Sequence, residues 1–311
     1  MQALYKTRMI DICSGFLFLV YLILYSNMKH SIGPIFICPK CKSRLFLKIK
    51  EKTGERIHSG KLFCKKCKKS FEIIDDIVCF KKVEKQNKKT KEIKKMRELF
   101  LGPEYNKEWY KHFSKKDFLI LKEEWKFMIE NLNLNESKIH LDWATGTARF
   151  LRNILNKTKA EIIALDFGYP NCLGLKEFLK KIKRYSHVTI IYGDARNMFF
   201  SDDSIDSISS WHGLNEPDMF DAVNESKRIL KKNKKIVVSG EFYEEGSESL
   251  KLAKREGIDF AEKDKTYNYF KKLGFKNIKY KKFSKTRETS RENFIPKHNE
   301  YHTVYGISAK K

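Results

Sequence analysis

An α/β fold built on a mostly parallel sheet is predicted for the C-terminal part of this 311-residue chain by three observations. Short apolar runs at 139–141, 162–165, 188–191, 205–209 and 236–238 alternate with stretches of helical spacing at 148–155, 172–182 and 219–230. A small-residue turn, Ala144-Thr145-Gly146-Thr147-Ala148, joins the first run to the first helix. The tail then changes pattern: a helix at 266–273, a strand at 278–283 and a last strand at 301–308, which suits an antiparallel pair closing the sheet. Strands alternating with helices place helices on both faces of a parallel sheet.

The elements before residue 136 divide into three. Residues 1–33 contain an apolar run at 12–25 flanked by Lys6, Arg8 and Lys29. It is marginal in length for a spanning helix, which needs about 20 apolar residues. It reads equally as a short membrane anchor or as sequence upstream of a true start at Met28. Residues 34–80 hold paired cysteines among β-like runs at 44–49, 61–63, 71–74 and 77–80. Residues 81–135 open with a charged stretch (81–95) and continue with spaced large apolar residues. Steps of four, three and four from Leu121 to Trp125, Met128 and Leu132 are helical, and the stretch suits two helices packed on the following domain.

A hydrophobic fraction of 41% excludes a disordered chain. Seven cysteines, an odd number, argue against a secreted disulfide framework and for a cytoplasmic protein. The formal net charge of +25 favours acidic partners: nucleic acid or an anionic membrane. Much of that excess is lysine spread over every region, as a composition bias alone would produce.

Cys38-Pro-Lys-Cys41 and Cys64-Lys-Lys-Cys67 are two C-x-x-C pairs with 22 residues between them. Such knuckles converge four thiolates on one tetrahedral zinc. Four thiolates leave the metal no open position, so the zinc is expected to be structural.

The turn at 144–148 carries the cofactor argument. Asp142 stands at the end of the first strand, where a carboxylate repels phosphate and suits the ammonium of an amino acid. Ala144 and Gly146 allow close approach to the backbone. Asp166 ends the second strand and can accept hydrogen bonds from ribose hydroxyls. Asp194, after the third strand, is placed to accept from an adenine amino group beside the Ala195 backbone. Amino acid, ribose and adenine together describe S-adenosylmethionine (SAM).

The segments LDWATGTARF, ALDFG, GDARNMFFSDDSID, SSWHGLNEPD and ESKRILKKNKKIVVSGEF resemble the class I SAM-dependent methyltransferases, type 11-like, and within them the subgroup of ubiquinone and menaquinone C-methyltransferases. The resemblance covers about residues 136–310. It implies a Rossmann-like sheet, SAM bound by Asp142, Gly146, Asp166, Asp194 and Ala195, and Ala144 and Ala148 where the family carries glycine. The family's Pro-Gly-Gly is Lys232-Asn233-Lys234 here, where Asn233 can take a left-handed turn. The cysteine segment resembles the small zinc ribbon that activates tRNA and protein methyltransferases. Ribbon, helical linker and methyltransferase domain (136–311) together resemble the layout of ribosomal-RNA guanine-N1 methyltransferases.

Methyl transfer is an in-line displacement whose rate comes mostly from alignment. The end of the fourth strand, Ser210 to Asp218, should face the methyl group. There His212 is the candidate base and Trp211 lines the SAM pocket, with Glu241 and Tyr243 as further pocket residues. The leading reading is methylation of a base in ribosomal or transfer RNA, gripped through the basic ribbon and linker. The alternatives are a small-molecule acceptor (lipid, quinone or another metabolite) and a noncatalytic binding module. The expected location is cytoplasmic, membrane-associated if residues 12–25 form an anchor.

Overall fold

The computed structural model describes residues 28–54, 56–83, 114–287 and 295–311. The apolar run at 12–25, most of the charged linker and the first of the two expected linker helices lie outside the described residues.

Twelve strands form one sheet among these residues. The cysteine-bearing segment contributes β1 (Met28–Lys29), β2 (Leu45–Thr53), β3 (Arg56–Cys64), β4 (Ser70–Ile74) and β5 (Ile77–Cys79). Five parallel strands follow: β6 (Ile139–Trp143), β7 (Glu161–Asp166), β8 (Val188–Tyr192), β9 (Ile205–Ser210) and β10 (Leu230–Tyr243). Their spatial order is β8-β7-β6-β9-β10, so the chain reverses direction across the sheet beside β6. Antiparallel β12 (Tyr301–Lys310) and β11 (Lys276–Arg287) close the far edge. A ligand crevice is expected at the carboxyl ends of β6 and β9, beside that reversal.

The two halves share the sheet. Val78 and Cys79 of β5 pair in parallel with Ile191 and Tyr192 of β8, so the cysteine-bearing hairpins continue the five parallel strands. The junction is aromatic: the Phe80 and Phe199 rings stack 3.5 Å apart, and Phe36 packs on Phe80, Phe199 and Phe200.

Helix α1 (Lys115–Asn131) starts at a capping box, where Ser114 and Asp117 satisfy each other's backbone donors. It buries Leu121, Glu124, Phe127 and Met128, and Phe127 meets Phe283 edge-on against the β11–β12 pair. Helices α2 (Arg149–Ile154), α3 (Tyr169–Lys181) and α4 (Phe220–Ile229) are the crossovers. Helix α5 (Glu248–Arg255) has no counterpart in the sequence reading, and α6 (Lys265–Lys272) precedes β11. Asn233 takes φ 63°, within the irregular start of β10.

Candidate active site

The turn after β6 uses three left-handed residues: Ala144 (φ 53°), Gly146 (φ 53°) and Ala148 (φ 58°). Two alanines thus hold a conformation that glycine adopts freely. The turn is tied down from two sides. Gly146 N–H donates to Asp166 Oδ2 at 2.6 Å, and Thr145 Oγ1 donates to the Asp142 carbonyl at 2.9 Å. Asp166 Oδ1 also accepts from Gly168 N–H (2.8 Å) and Asn171 Nδ2 (2.9 Å). Both strand-end carboxylates are buried, Asp142 at 2% and Asp166 at 9% exposure. Burial pushes the Asp142 carboxyl up to about 7, against the pull of the Ser209 hydroxyl and with the help of Asp166. Burial likewise raises Asp166, and its hydrogen bonds from Asn171, Gly168 and Gly146 oppose the shift.

Asp194 and Ala195 lie on the loop after β8, where Asp194 caps the short turn Ala195–Asn197. The Asp194 carboxylate is held by Arg196 on both oxygens, at 3.0 Å from Nε and 2.9 Å from the terminal nitrogen. Burial raises its pKa, but the Arg196 hydrogen bonds outweigh burial and leave it below the usual range. Beside it Phe167 exposes 54% of its surface, with Lys81 Nζ 2.8 Å from the ring centroid and Arg196 at 5.5 Å. An exposed ring directly after a strand-end carboxylate offers a flat face to a base.

His212 follows β9 and has φ 58°. The next turn, Gly213–Asn215, lies against the SAM turn so closely that a Cβ on Gly213 would come within 2.6 Å of the Trp143 ring and 2.9 Å of Ala144 Cβ. His212 Nε2 is 2.9 Å from Glu124 of α1, and Nδ1 is 3.3 Å from Glu241 of β10. Burial would discharge the imidazole, but the two carboxylates prevail and raise its pKa to about 10. Asn215 Oδ1 accepts from Glu241 N–H at 3.0 Å, which fixes the amide and turns Nδ2 toward His212 at 3.3 Å. The Trp211 ring lies 4.9 Å from His212 and 5.8 Å from Trp125, edge-on to each.

A family of proteins described as "methyltransferase domain" matches residues 141–233, which span β6 to the start of β10. A demethylmenaquinone methyltransferase of Staphylococcus haemolyticus is 26% identical, over 51% of this chain and 77% of its own. One from Bacillus velezensis is 34% identical over a shorter stretch, 34% of this chain and 46% of its own. Among solved structures, the geranyl diphosphate C-methyltransferase from Streptomyces coelicolor superposes with a TM-score of 0.51 at 9% identity. That match covers 61% of this chain and 79% of the other and shows the fold alone. The chain carries a methyltransferase domain and is an enzyme that uses SAM.

That identification sets aside the noncatalytic reading. The left-handed alanines show how the turn after β6 is kept without the outer glycines. The expected location, cytoplasmic with an anchor at 12–25, is also corrected. No helix among the described residues is long and apolar enough to cross a membrane, and residues 12–25 lie outside them. The relatives' name, demethylmenaquinone methyltransferase, lends a cytoplasmic assignment no support.

In the N-terminal hairpins four cysteines converge. The sulfurs of Cys38, Cys41, Cys64 and Cys67 all lie within 4.8 Å of one another, with Cys38–Cys67 at 3.5 Å and Cys41–Cys64 at 3.4 Å. Both knuckles have the same form: Lys42 N–H donates to the Cys38 carbonyl, Lys68 N–H to the Cys64 carbonyl, and both lysines are left-handed. These sulfur separations are too long for disulfides and suit the edges of a tetrahedron with metal–sulfur bonds of about 2.3 Å.

Sequence reasoning missed Glu124 and Phe167. Glu124 lies three residues after Leu121 and four before Met128, on the buried stripe of α1, and that position was its signal. Phe167 is signalled by its place directly after Asp166.

Proposed function

We propose that this methyltransferase acts on a small-molecule acceptor, a ring bearing an ionisable hydroxyl of the quinol type. The RNA-base reading is the weaker one. The observation that carries the proposal is the Glu124–His212–Glu241 cluster at the carboxyl end of β9. Two carboxylates around one imidazolium leave a net negative charge, which repels polyphosphate and favours release of a proton from a neutral hydroxyl. The relatives named demethylmenaquinone methyltransferase point the same way. The layout resemblance to ribosomal-RNA enzymes rests on the ribbon, which lies on the other side of the sheet order from β9.

Asp142 holds the SAM ammonium in this reading, Asp166 the ribose, and the Ala144–Ala148 turn the carboxylate end, with Phe167 and the Asp194–Ala195 loop beside the adenine. The acceptor attacks the methyl carbon, the carbon–sulfur bond breaks, and its electron pair stays on sulfur. The acceptor's proton goes to Glu241, the more exposed of the two glutamates (16% against 2%). His212, protonated at neutral pH, has no free lone pair and orients Glu241 instead of acting as the base. Trp211 and Trp125 flank the ring.

The test offers labelled SAM with a demethylated quinol and, separately, total RNA. Label in the organic phase is expected, and label confined to RNA would falsify the reading. Glu241→Gln should lower kcat by about 10²-fold or more, the usual contribution of a general base, and leave SAM affinity unchanged.

The same proposal assigns one structural zinc to Cys38, Cys41, Cys64 and Cys67. The ion would cross-link the two knuckles and take no part in methyl transfer, since four thiolates close its coordination shell. Metal analysis should find one zinc per chain, lost in Cys64→Ser together with several degrees of Tm.

A further inference from the structure

A second polar feature lies inside the sheet, on the face of β6 and β9 packed among apolar residues. His140 pairs across the strands with Ser207, and Asp142 with Ser209. Residues two apart on a strand share a face, so all four side chains meet. All are buried: His140 and Ser209 at 0%, Ser207 at 1%, Asp142 at 2%. The contacts form a line. Ser137 Oγ is 2.9 Å from Ser207 Oγ, Ser207 Oγ is 2.8 Å from His140 Nδ1, His140 Nε2 is 3.0 Å from Ser209 Oγ, and Ser209 Oγ is 2.6 Å from Asp142 Oδ1.

Hydrogen-bond chemistry gives this line one direction. An ionised carboxylate only accepts, so Ser209 must donate to Asp142. Ser209 can then accept only from a protonated His140 Nε2. Burial holds the imidazole neutral, its pKa pushed down to about 3, so Nδ1 carries a lone pair. That lone pair accepts from Ser207, whose own oxygen accepts from Ser137, while Ser137 shares its proton with the Asn133 carbonyl at 3.2 Å.

We propose that Ser137, Ser207, His140 and Ser209 are a buried positioning relay that keeps Asp142 ionised and aimed at the SAM ammonium. His140 and Ser209 touch no substrate; they act through Asp142. The relay rests on Asp142 as the ammonium partner and is independent of the acceptor. It answers a physical problem. A buried carboxylate beside a second one tends to take up a proton, and a protonated Asp142 would give the ammonium no charge to bind. The charged group acting on Asp142 is Asp166 at the end of β7, which also acts on Glu216 of the turn after β9. Asp166 is acidic, so its charge works against the ionised form of Asp142. The hydroxyls of Ser209, first, and Thr145 compensate, and the fixed His140 tautomer keeps the Ser209 hydroxyl turned toward the carboxylate.

The test is SAM affinity by calorimetry at two pH values, without acceptor. Wild-type affinity should fall as pH drops below about 7, where Asp142 protonates. Ser209→Ala removes a charge-assisted hydrogen bond and shifts that fall upward, weakening binding about tenfold at pH 6.5 and less than about twofold at pH 8.5. His140→Leu should shift it the same way, and His140→Gln, which keeps a donor at that reach, should restore most of the loss. An equal loss at both pH values in Ser209→Ala means packing alone and overturns the relay, as does wild-type behaviour. Asp142→Asn separates the premise: if it binds SAM normally, Asp142 is not the ammonium partner, and that assignment falls with the relay. A melt of each variant identifies any that fails to fold, and His140→Gln, the mildest change, then decides.

Discussion

His140 and His212 stand on neighbouring strands, one inside β6 and the other just beyond β9, and the fold puts them in opposite charge states. Burial among serine hydroxyls leaves His140 neutral, with its pKa near 3. His212, caught between Glu124 and Glu241, is charged, with its pKa near 10. The difference teaches what sets a buried histidine's charge. A hydroxyl serves either form, so desolvation wins by default. A carboxylate within about 4 Å is worth several kcal/mol even at an effective dielectric of about 20, which matches or exceeds a typical desolvation cost for imidazole. Two carboxylates reverse the outcome.

The comparison breaks most visibly at Glu124. Glu124→Gln takes away the buried partner of His212 and should cost roughly 3 kcal/mol of stability at pH 7, read by urea denaturation. An NMR titration of the His212 ring should show its pKa falling, while His140 stays neutral. An unchanged His212 titration would mean that Glu241 alone holds the charge.

The pH dependence of stability sharpens the comparison, because the two histidines act in opposite windows. His212 has a folded pKa raised above the unfolded value of about 6.5, so its contribution is complete below that pH and is lost as pH rises toward about 10. His140 has a lowered folded pKa, so the folded state resists its protonation. Stability is lost as pH falls from about 6.5 toward 3. Unfolding curves of His212→Gln should therefore lose the alkaline slope, and those of His140→Gln should flatten on the acid side. The difference from wild type at each pH isolates each residue from the other acids. If both variants changed the same limb, the assignment of opposite states would be wrong.

The alternation of strands and helices was legible because parallel strands and crossovers have distinct periods, and the tight turn after β6 because an acidic strand end and a small-residue loop are local patterns. The parts that escaped are long-range. Ile77-Val78-Cys79 reads as the tail of a small ribbon, and nothing local announces its pairing with β8. The covering of β6 on both faces follows from the parallel sheet, but nothing local shows that His140 and Asp142 are satisfied there by Ser207 and Ser209 of β9. Nothing local announces that Arg196, only two residues on, holds both oxygens of Asp194, because its side chain could equally face solvent. Helix α5 is short, and its apolar face is too brief to stand out by period.

The smallest expected effect concerns the cofactor turn, where backbone strain replaces the charge balance seen at the histidines. Ala144 and Ala148 both hold left-handed φ values, each disfavoured for alanine by about 1 kcal/mol. Their surroundings differ. Ala144 is partly exposed, so Ala144→Gly relieves strain and loses little packing; less the added freedom of the unfolded chain, it should stabilise the protein by about 0.5 kcal/mol. Ala148 is 1% exposed within the apolar cluster of α1, α2 and β7, so glycine there also gives up a buried methyl worth about 0.8 kcal/mol. The two changes should therefore part company in chemical denaturation: a small gain at 144 and a slight loss at 148. Equal gains would mean that the Ala148 methyl contributes no packing, and a loss at 144 would mean that its methyl, beside Gly213, is itself part of the SAM site's support.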